Sequence, residues 1–204
     1  MTKVVAIVEG DGEVAAVPVL LRRLAIALTG DRYIDVPPPL RVHRDRFLNR
    51  PEEFRRMLLL ASAKCGASGW VLVLLDADDD CPVELAASIR ARAAQIIPNR
   101  PALFVCANRE FEAWFLACAP ALHGRRGLVI GAGERPENPD AVRGAKEWLS
   151  RHIPNGRYRE TTDQPALCAL IDIEMARARS RSFRKLCDDW TRLSNSAAAE
   201  AGNY

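Results

Sequence analysis

Three carboxylates stand where an apolar run stops. Glu9 follows Val4–Val8, and Asp76 and Asp78 follow Trp70–Leu75; Glu110 and Glu112 come shortly after a third apolar run, Ala102–Cys106. Hard divalent cations such as Mg²⁺ or Mn²⁺ take oxygen ligands, commonly one or two carboxylates with retained waters. Such a metal polarises a phosphoryl oxygen and activates a water. Clustered anions without a cation repel one another, so acids gathered at one place imply a counter-charge. Asp and Glu also favour helix starts, because the helix dipole and the free N–H groups attract them. Asp80 fits that simpler role, and Asp79 fits a solvated one.

The elements that must position these acids alternate. Val4–Val8, Leu40–His43, Trp70–Leu75 and Ala102–Cys106 read as strands, the apolar ones buried on both faces. Glu13–Leu28, Pro51–Lys64, Pro82–Ile97 and Glu110–Cys118 carry apolar residues at helical spacing. Pro18 is expected in the first turn of its helix, where a missing N–H matters least. Strand and helix in alternation predict a parallel sheet with helices on both faces. Ligands of such sheets bind beyond the carboxyl ends of the strands. After Pro120 the pattern changes: Gly127–Pro139 reads as a loop, and Ala141–Leu149, Gln164–Ala178 and Ser182–Leu193 as helices, with a frayed tail from Asn195. The expected division is an α/β core over 1–120 and a loop and helical C-terminal extension, packed on that core, over 121–204.

A chain of 204 residues, 49% hydrophobic and 27% charged, suits one globular core. A formal charge of +3 permits a basic face for nucleic acid without announcing one. The run Val4–Val8 is too short for a signal peptide, and nothing approaches the ~18 apolar residues of a membrane span. The expectation is a cytoplasmic protein that does not enter a membrane, with Cys65, Cys81, Cys106, Cys118, Cys168 and Cys187 as free thiols. No HExxH, Cys/His zinc spacing, GxSxG elbow or Walker A lysine is present. His43, His123 and His152 are expected to be structural or solvated, and Trp70, Trp114 and Trp190 to be core residues. The run Arg177, Arg179, Arg181, Arg184 and Lys185 reads as a solvated helix face, with phosphate contact as the other option.

Two resemblances are carried by motifs. Gly10-Asp11-Gly12-Glu13-Val14-Ala15 fits the dinucleotide pattern GxGxxA after a first strand, with Asp35 at a suitable distance. Against it, Glu9, Asp11 and Glu13 would crowd a pyrophosphate with negative charge. Glu9-Gly10 at one strand end and Asp76-Ala77-Asp78 at a later one resemble a Toprim domain, the fold of topoisomerases, primases and overcoming-lysogenization-defect (OLD) nucleases. Over nearly the whole chain the sequence is similar to a bacterial family of unknown function with a Toprim-like core, related to the OLD nucleases. The matching stretches are Val8–Glu13, Leu75–Asp78, Asn108–Phe115, Tyr158–Gln164 and Ser182-Phe183.

That resemblance implies Mg²⁺- or Mn²⁺-dependent cleavage of DNA or RNA, in a phage-defence system with an ABC-type ATPase on a separate chain. It implies Glu9 as metal ligand or general acid/base, Asp76 and Asp78 as metal ligands, and Glu13 as a further ligand. Lys146, Arg159 and Arg109 are candidates for the positive group such cleavage needs. The other reading is a non-catalytic Toprim-like binding subunit. Glu110 and Glu112, two residues apart, point about 200° from each other on a regular helix. Glu110 is therefore expected to face the metal edge as a catalytic residue, with Glu112 in the first helical turn or paired with an arginine. Phe111, Trp114 and Phe115 are expected to be buried.

Overall fold

The computed structural model describes residues 2–154 and 156–201, with side chains as far as 196. Four parallel strands, β1 (Val4–Val8), β2 (Leu40–Arg41), β3 (Trp70–Asp76) and β4 (Ala102–Ala107), form one sheet in the order β2-β1-β3-β4. The β1–β3 register sets Val4 against Trp70 and Ile7 against Val73; the β3–β4 register runs from Val71 and Ala102 to Asp76 and Ala107. Side chains alternate across the sheet. Val4, Ala6, Val8, Leu72, Leu74 and Val105 enter one core, and Val5, Ile7, Val71, Val73, Leu75 and Phe104 enter the other. Both faces are buried, so the strands are apolar throughout.

Helix α1 (Asp11–Thr29) covers the first face. Helices α2 (Arg44–Asn49), α3 (Pro51–Lys64) and α4 (Pro82–Ile96) belong to the second. Two short helices, α5 (Ala113–Ala117) and α6 (Ala119–Leu122), follow β4. Then come α7 (Ala145–Arg151), α8 (Glu160–Cys168), α9 (Ile173–Arg179) and α10 (Arg181–Ala201), which extend the first face. The architecture is the expected one: a parallel α/β sheet flanked by helices, with a helical C-terminal extension, consistent with a Toprim-like arrangement. Among the described residues no helix is long and apolar enough to cross a membrane.

Several boundaries differ from the sequence expectation. Helix α1 begins at Asp11, so Pro18 lies inside it and leaves the Val14 carbonyl without its usual partner. Burial of Val17, Leu20, Leu21 and Leu24 offsets that local penalty of about 3 kcal/mol. The segment after β4 is no single helix: α5 starts at Ala113, and Cys118 separates it from α6. The predicted Gln164–Ala178 helix is two, because Asp172 starts a new one by accepting from the Met175 N–H at 2.9 Å. The Ala141–Leu149 prediction resolves into a 3₁₀ turn (Pro139–Ala141) and α7, with Gly144 left-handed between them. The Gly127–Pro139 loop contains one 3₁₀ turn, Ala132–Glu134. Helix α10 continues through Asn195 to Ala201, so the expected fraying does not begin at Asn195; Gly202–Tyr204 lie outside the described residues.

Trp70, Trp114 and Trp190 are buried, as are Phe111 and Phe115, and all six cysteines are free, with only Cys81 exposed. His123 accepts from the Ile130 N–H, His152 stacks on Trp148, and His43 is exposed. The arginine run is in part the expected solvated face, with Arg181, Arg184 and Lys185 exposed; Arg177 also pairs with Asp188, Arg179 donates to the Ala117 and Pro136 carbonyls, and Lys185 pairs with Asp189.

Candidate metal and phosphate site

β1 and β3 are neighbours, while the chain leaves β1 for β2 on the other side. Their carboxyl ends form the crevice at which the strand order switches direction. Glu9 and Asp76 therefore end side by side, and with Glu13, Asp78 and Lys146 they line one cleft of about 960 Å³.

Each acid is held differently. Asp76 Oδ1 accepts from the Phe111 N–H at 2.8 Å, tying the end of β3 to the turn after β4. Asp78 is left-handed, with φ 50°, and donates its N–H to the Arg109 carbonyl at 3.0 Å; Arg109 is itself left-handed at φ 64°. Glu13 reaches back from the first turn of α1 to the N–H groups of Glu9, at 3.0 Å, and Gly10, at 3.3 Å. Glu9 Oε2 is buried and has no hydrogen-bond partner.

The structure reverses the expectation for Glu110 and Glu112. Glu110 caps α7, accepting from the N–H groups of Gly144, Ala145 and Lys146 at 3.0–3.3 Å. Glu112 is fully buried and acts electrostatically on Asp76 and Glu13. Left-handed Arg109 turns the chain before α5 starts, so the phase of a regular helix does not govern this pair. The Tyr158 hydroxyl donates to Glu112 Oε1 at 2.9 Å and the Gln164 amide at 3.2 Å, while Glu112 Oε2 is buried without a partner.

Burial dominates the electrostatics. It pushes Glu112 up to about 7, against the lowering effect of Lys146. It pushes Glu13 to about 7 despite its two backbone donors, with the charge of Glu112 adding to the rise. Asp76 is raised well above the usual carboxylate range by burial and then by Glu13 and Glu112; Glu9 is raised by burial and then by Asp78. Lys146 is the counter-charge: burial works against its ammonium, but Glu112 and Glu160 outweigh it and raise its pKa. Lys146 pairs directly with Glu160 at 3.2 Å.

Arg44, at the carboxyl end of β2, was not among the sequence candidates. It donates to the Asp76 carbonyl at 3.1 Å and pairs with Asp78 at 3.6 Å and with Asp80. Asp79 pairs with Arg109 at 3.0 Å and Arg143 at 2.7 Å and is not merely solvated, while Asp80, expected at a helix start, pairs with Arg44 and makes no side-chain cap to α4. Arg159 lies on the cleft rim, and Arg109 is engaged with Asp79. Of the three proposed cations, only Lys146 acts electrostatically on the buried acids.

A divalent ion is tested by the donors themselves. Glu9 and Glu112 each present a buried carboxylate oxygen with no partner, and Asp76 and Asp78 add hard oxygen donors. In kind and burial they fit such an ion. As the side chains stand, no three metal-capable groups among the described residues are gathered closely enough to enclose one. Lys146 and Arg44 balance the acids instead.

Fold and site define an α/β protein with a carboxylate cluster at the switch point of a parallel sheet. The chain belongs to the family described as a domain of unknown function, DUF4276, whose profile matches residues 8–190. No curated protein and no solved structure matches it.

Proposed function

We propose that this protein is a divalent-metal-dependent nuclease, or a related phosphotransfer enzyme, of the Toprim kind and related to the OLD nucleases. The supporting observation is the pair of buried, unpartnered oxygens on Glu9 and Glu112 beside Asp76. Buried carboxylate oxygens are expensive to leave unmatched, and a cation is the partner their chemistry calls for. Glu9, Asp76, Asp78 and Glu112 would hold Mg²⁺ or Mn²⁺, which when bound polarises a phosphoryl oxygen and makes a water more acidic. The chain's own groups supply the rest. Glu13, poised near 7, can take up or release a proton at neutral pH. The Lys146 ammonium stands at the cleft to meet a phosphate oxygen, and Arg44 fixes the turn carrying Asp76 and Asp78. Glu110 leaves the catalytic set and becomes a helix cap.

The same reading includes a separate ABC-type ATPase chain and a role in phage defence. One observation favours the second reading, a non-catalytic binding subunit: Lys146 and Arg44 already neutralise much of the cluster. The dinucleotide reading is weaker, since α8 occupies the close approach that Gly12 allows. The deciding experiment incubates the protein with plasmid, single-stranded DNA and RNA, with Mg²⁺, Mn²⁺ or EDTA. Cleavage that requires metal and is lost in Asp76→Ala and Glu9→Gln, with the fold intact, supports the enzyme. No metal-dependent cleavage of any of the three supports the binding subunit.

A further inference from the structure

The cleft is poorly suited to holding a polyanion alone. Its walls carry seven carboxylates against five lysine and arginine side chains. Protonation of the buried acids reduces that excess without reversing it into a strong positive field. A nucleic acid must therefore be held by something beside the cleft. Helix α2 provides the connection: Arg44 and Asp45 line the cleft, and the next residue, Arg46, lines a second hollow of about 650 Å³ with Arg50, Arg55 and Arg56. That hollow has four arginines against two glutamates, Glu52 and Glu53.

These arginines are not absorbed by the fold. Arg46 pairs with Glu53 at 2.9 Å. Arg50, Arg55 and Arg56 are exposed and make no ion pair with a described residue, although Glu52 is at helical spacing from the last two. Phe47 of α2 and Phe54 of α3 pack with ring centroids 4.8 Å apart, which fixes the two helices from which the arginines project. Guanidinium groups match phosphate oxygens in geometry and lose less hydration than ammonium groups on contact. Arg50 is the N-cap of α3 and Arg55 and Arg56 lie in its first turns, so the three cover about 9 Å at ~1.5 Å per residue, which spans two to three phosphates of one strand at about 3.4 Å of duplex axis each.

We propose that Arg50, Arg55 and Arg56 form a phosphate-binding track that holds the nucleic acid on one side of the cleft. This rests on the nuclease reading for the identity of the polymer. Binding is read without metal, so the two can fail separately.

The test is fluorescence anisotropy in EDTA, over a range of salt, with a fluorescein-labelled DNA duplex of about 30 base pairs and a single strand of equal length. The combined Arg50→Ala, Arg55→Ala, Arg56→Ala protein is expected to bind about tenfold or more weakly. Its salt slope for duplex should shrink by roughly 2 to 3, at ~0.9 for each phosphate no longer neutralised. The corresponding triple lysine protein should keep the slope, because the charge remains. Unchanged affinity and slope in the alanine protein, or no binding by the wild type, overturns the track. Displacement of the DNA by poly-glutamate at equal charge concentration also overturns it and assigns the face to an acidic protein. A wild type that binds through the track but never cleaves with Mg²⁺ retires the nuclease and keeps the track. Cleavage by wild type with unaltered binding by the alanine protein does the reverse.

Discussion

Tyr158 and Glu112 are joined by a buried hydrogen bond of 2.9 Å. It ties the C-terminal extension to the turn that leaves β4, and it supplies one of two donors to an acid that water does not reach. Removing that donor in Tyr158→Phe leaves Glu112 Oε1 with Gln164 alone. The expected loss is about 1–3 kcal/mol. Because the bond favours the charged form, the loss should be greater near pH 8 than near pH 5. Urea unfolding at the two pH values checks this, and equal losses would mean that Glu112 does not change charge between them.

The raised acids set the direction of the pH dependence. Glu13 and Glu112 move from 4.5 to about 7 in the folded protein. Each binds its proton more tightly when folded. Each therefore contributes stability that is whole below about 4.5 and is lost as pH rises through about 7. Glu9 and Asp76 act in the same direction. Without divalent metal, the melting temperature should fall by about 5 °C or more between pH 5 and pH 8, at roughly 2–4 °C per kcal/mol for a chain of this size. Glu112→Gln should flatten that fall. A melting temperature that rises across the interval contradicts the assignment.

Mg²⁺ should oppose the loss at high pH. An ion that binds only the folded state adds about 2.7 kcal/mol at a hundred times its dissociation constant. Melts near pH 8 with and without Mg²⁺ should show a rise in wild type that shrinks in Asp76→Asn and in Glu112→Gln but persists in Glu110→Gln. If Glu110→Gln abolishes the shift and Glu112→Gln does not, the site belongs to the residue that caps α7.

Gly12 is a packing requirement. A Cβ there would lie 2.3 Å from Gln164 Oε1 and 2.7 Å from the Glu160 carbonyl oxygen. The side chain could move, but the backbone of α8 could not without moving the helix. Gly12→Ala gains at most about 1 kcal/mol of helix propensity and should lose about 1–3 kcal/mol to overpacking. Chemical denaturation should show a net loss, together with weaker Mg²⁺ stabilisation, since Gln164 holds Glu112. A more stable Gly12→Ala protein would mean that α1 and α8 are not in contact in solution.

The sheet and the Glu9–Asp76 edge were legible because apolar runs that end in acids mark buried strands and their carboxyl ends. Glu112 was misplaced because one left-handed residue, Arg109, breaks the regularity on which helical phase depends. Arg44 has a weak signal in the sequence: it closely follows β2, whose carboxyl end shares the edge. Tyr158 and Gln164 stood in recognisable stretches, but their contact with Glu112 depends on how α8 docks against α1. Lys146 was one of three cations; what separates it is the placing of α7 by Glu110 and the pairing of Arg109 with Asp79, neither of which a local pattern announces.

The docking of α8 on α1 also orders events during synthesis. Glu9, Glu13, Asp76 and Glu112 leave the ribosome before Lys146, Tyr158 and Gln164. A nascent chain stalled near Pro120 carries all four acids without the ammonium and the two donors that offset them, and Gly12 faces an empty groove. The sheet can collapse at that stage with Arg44 as the cation at its acidic edge, and the acids that Lys146 offsets stay hydrated or protonated. The contact of α1 with α8 is long-range in sequence, the kind whose loop-closure cost slows folding. The segment from α7 through α8 works as a tethered counter-ion, and neutralisation of the cleft waits on its docking.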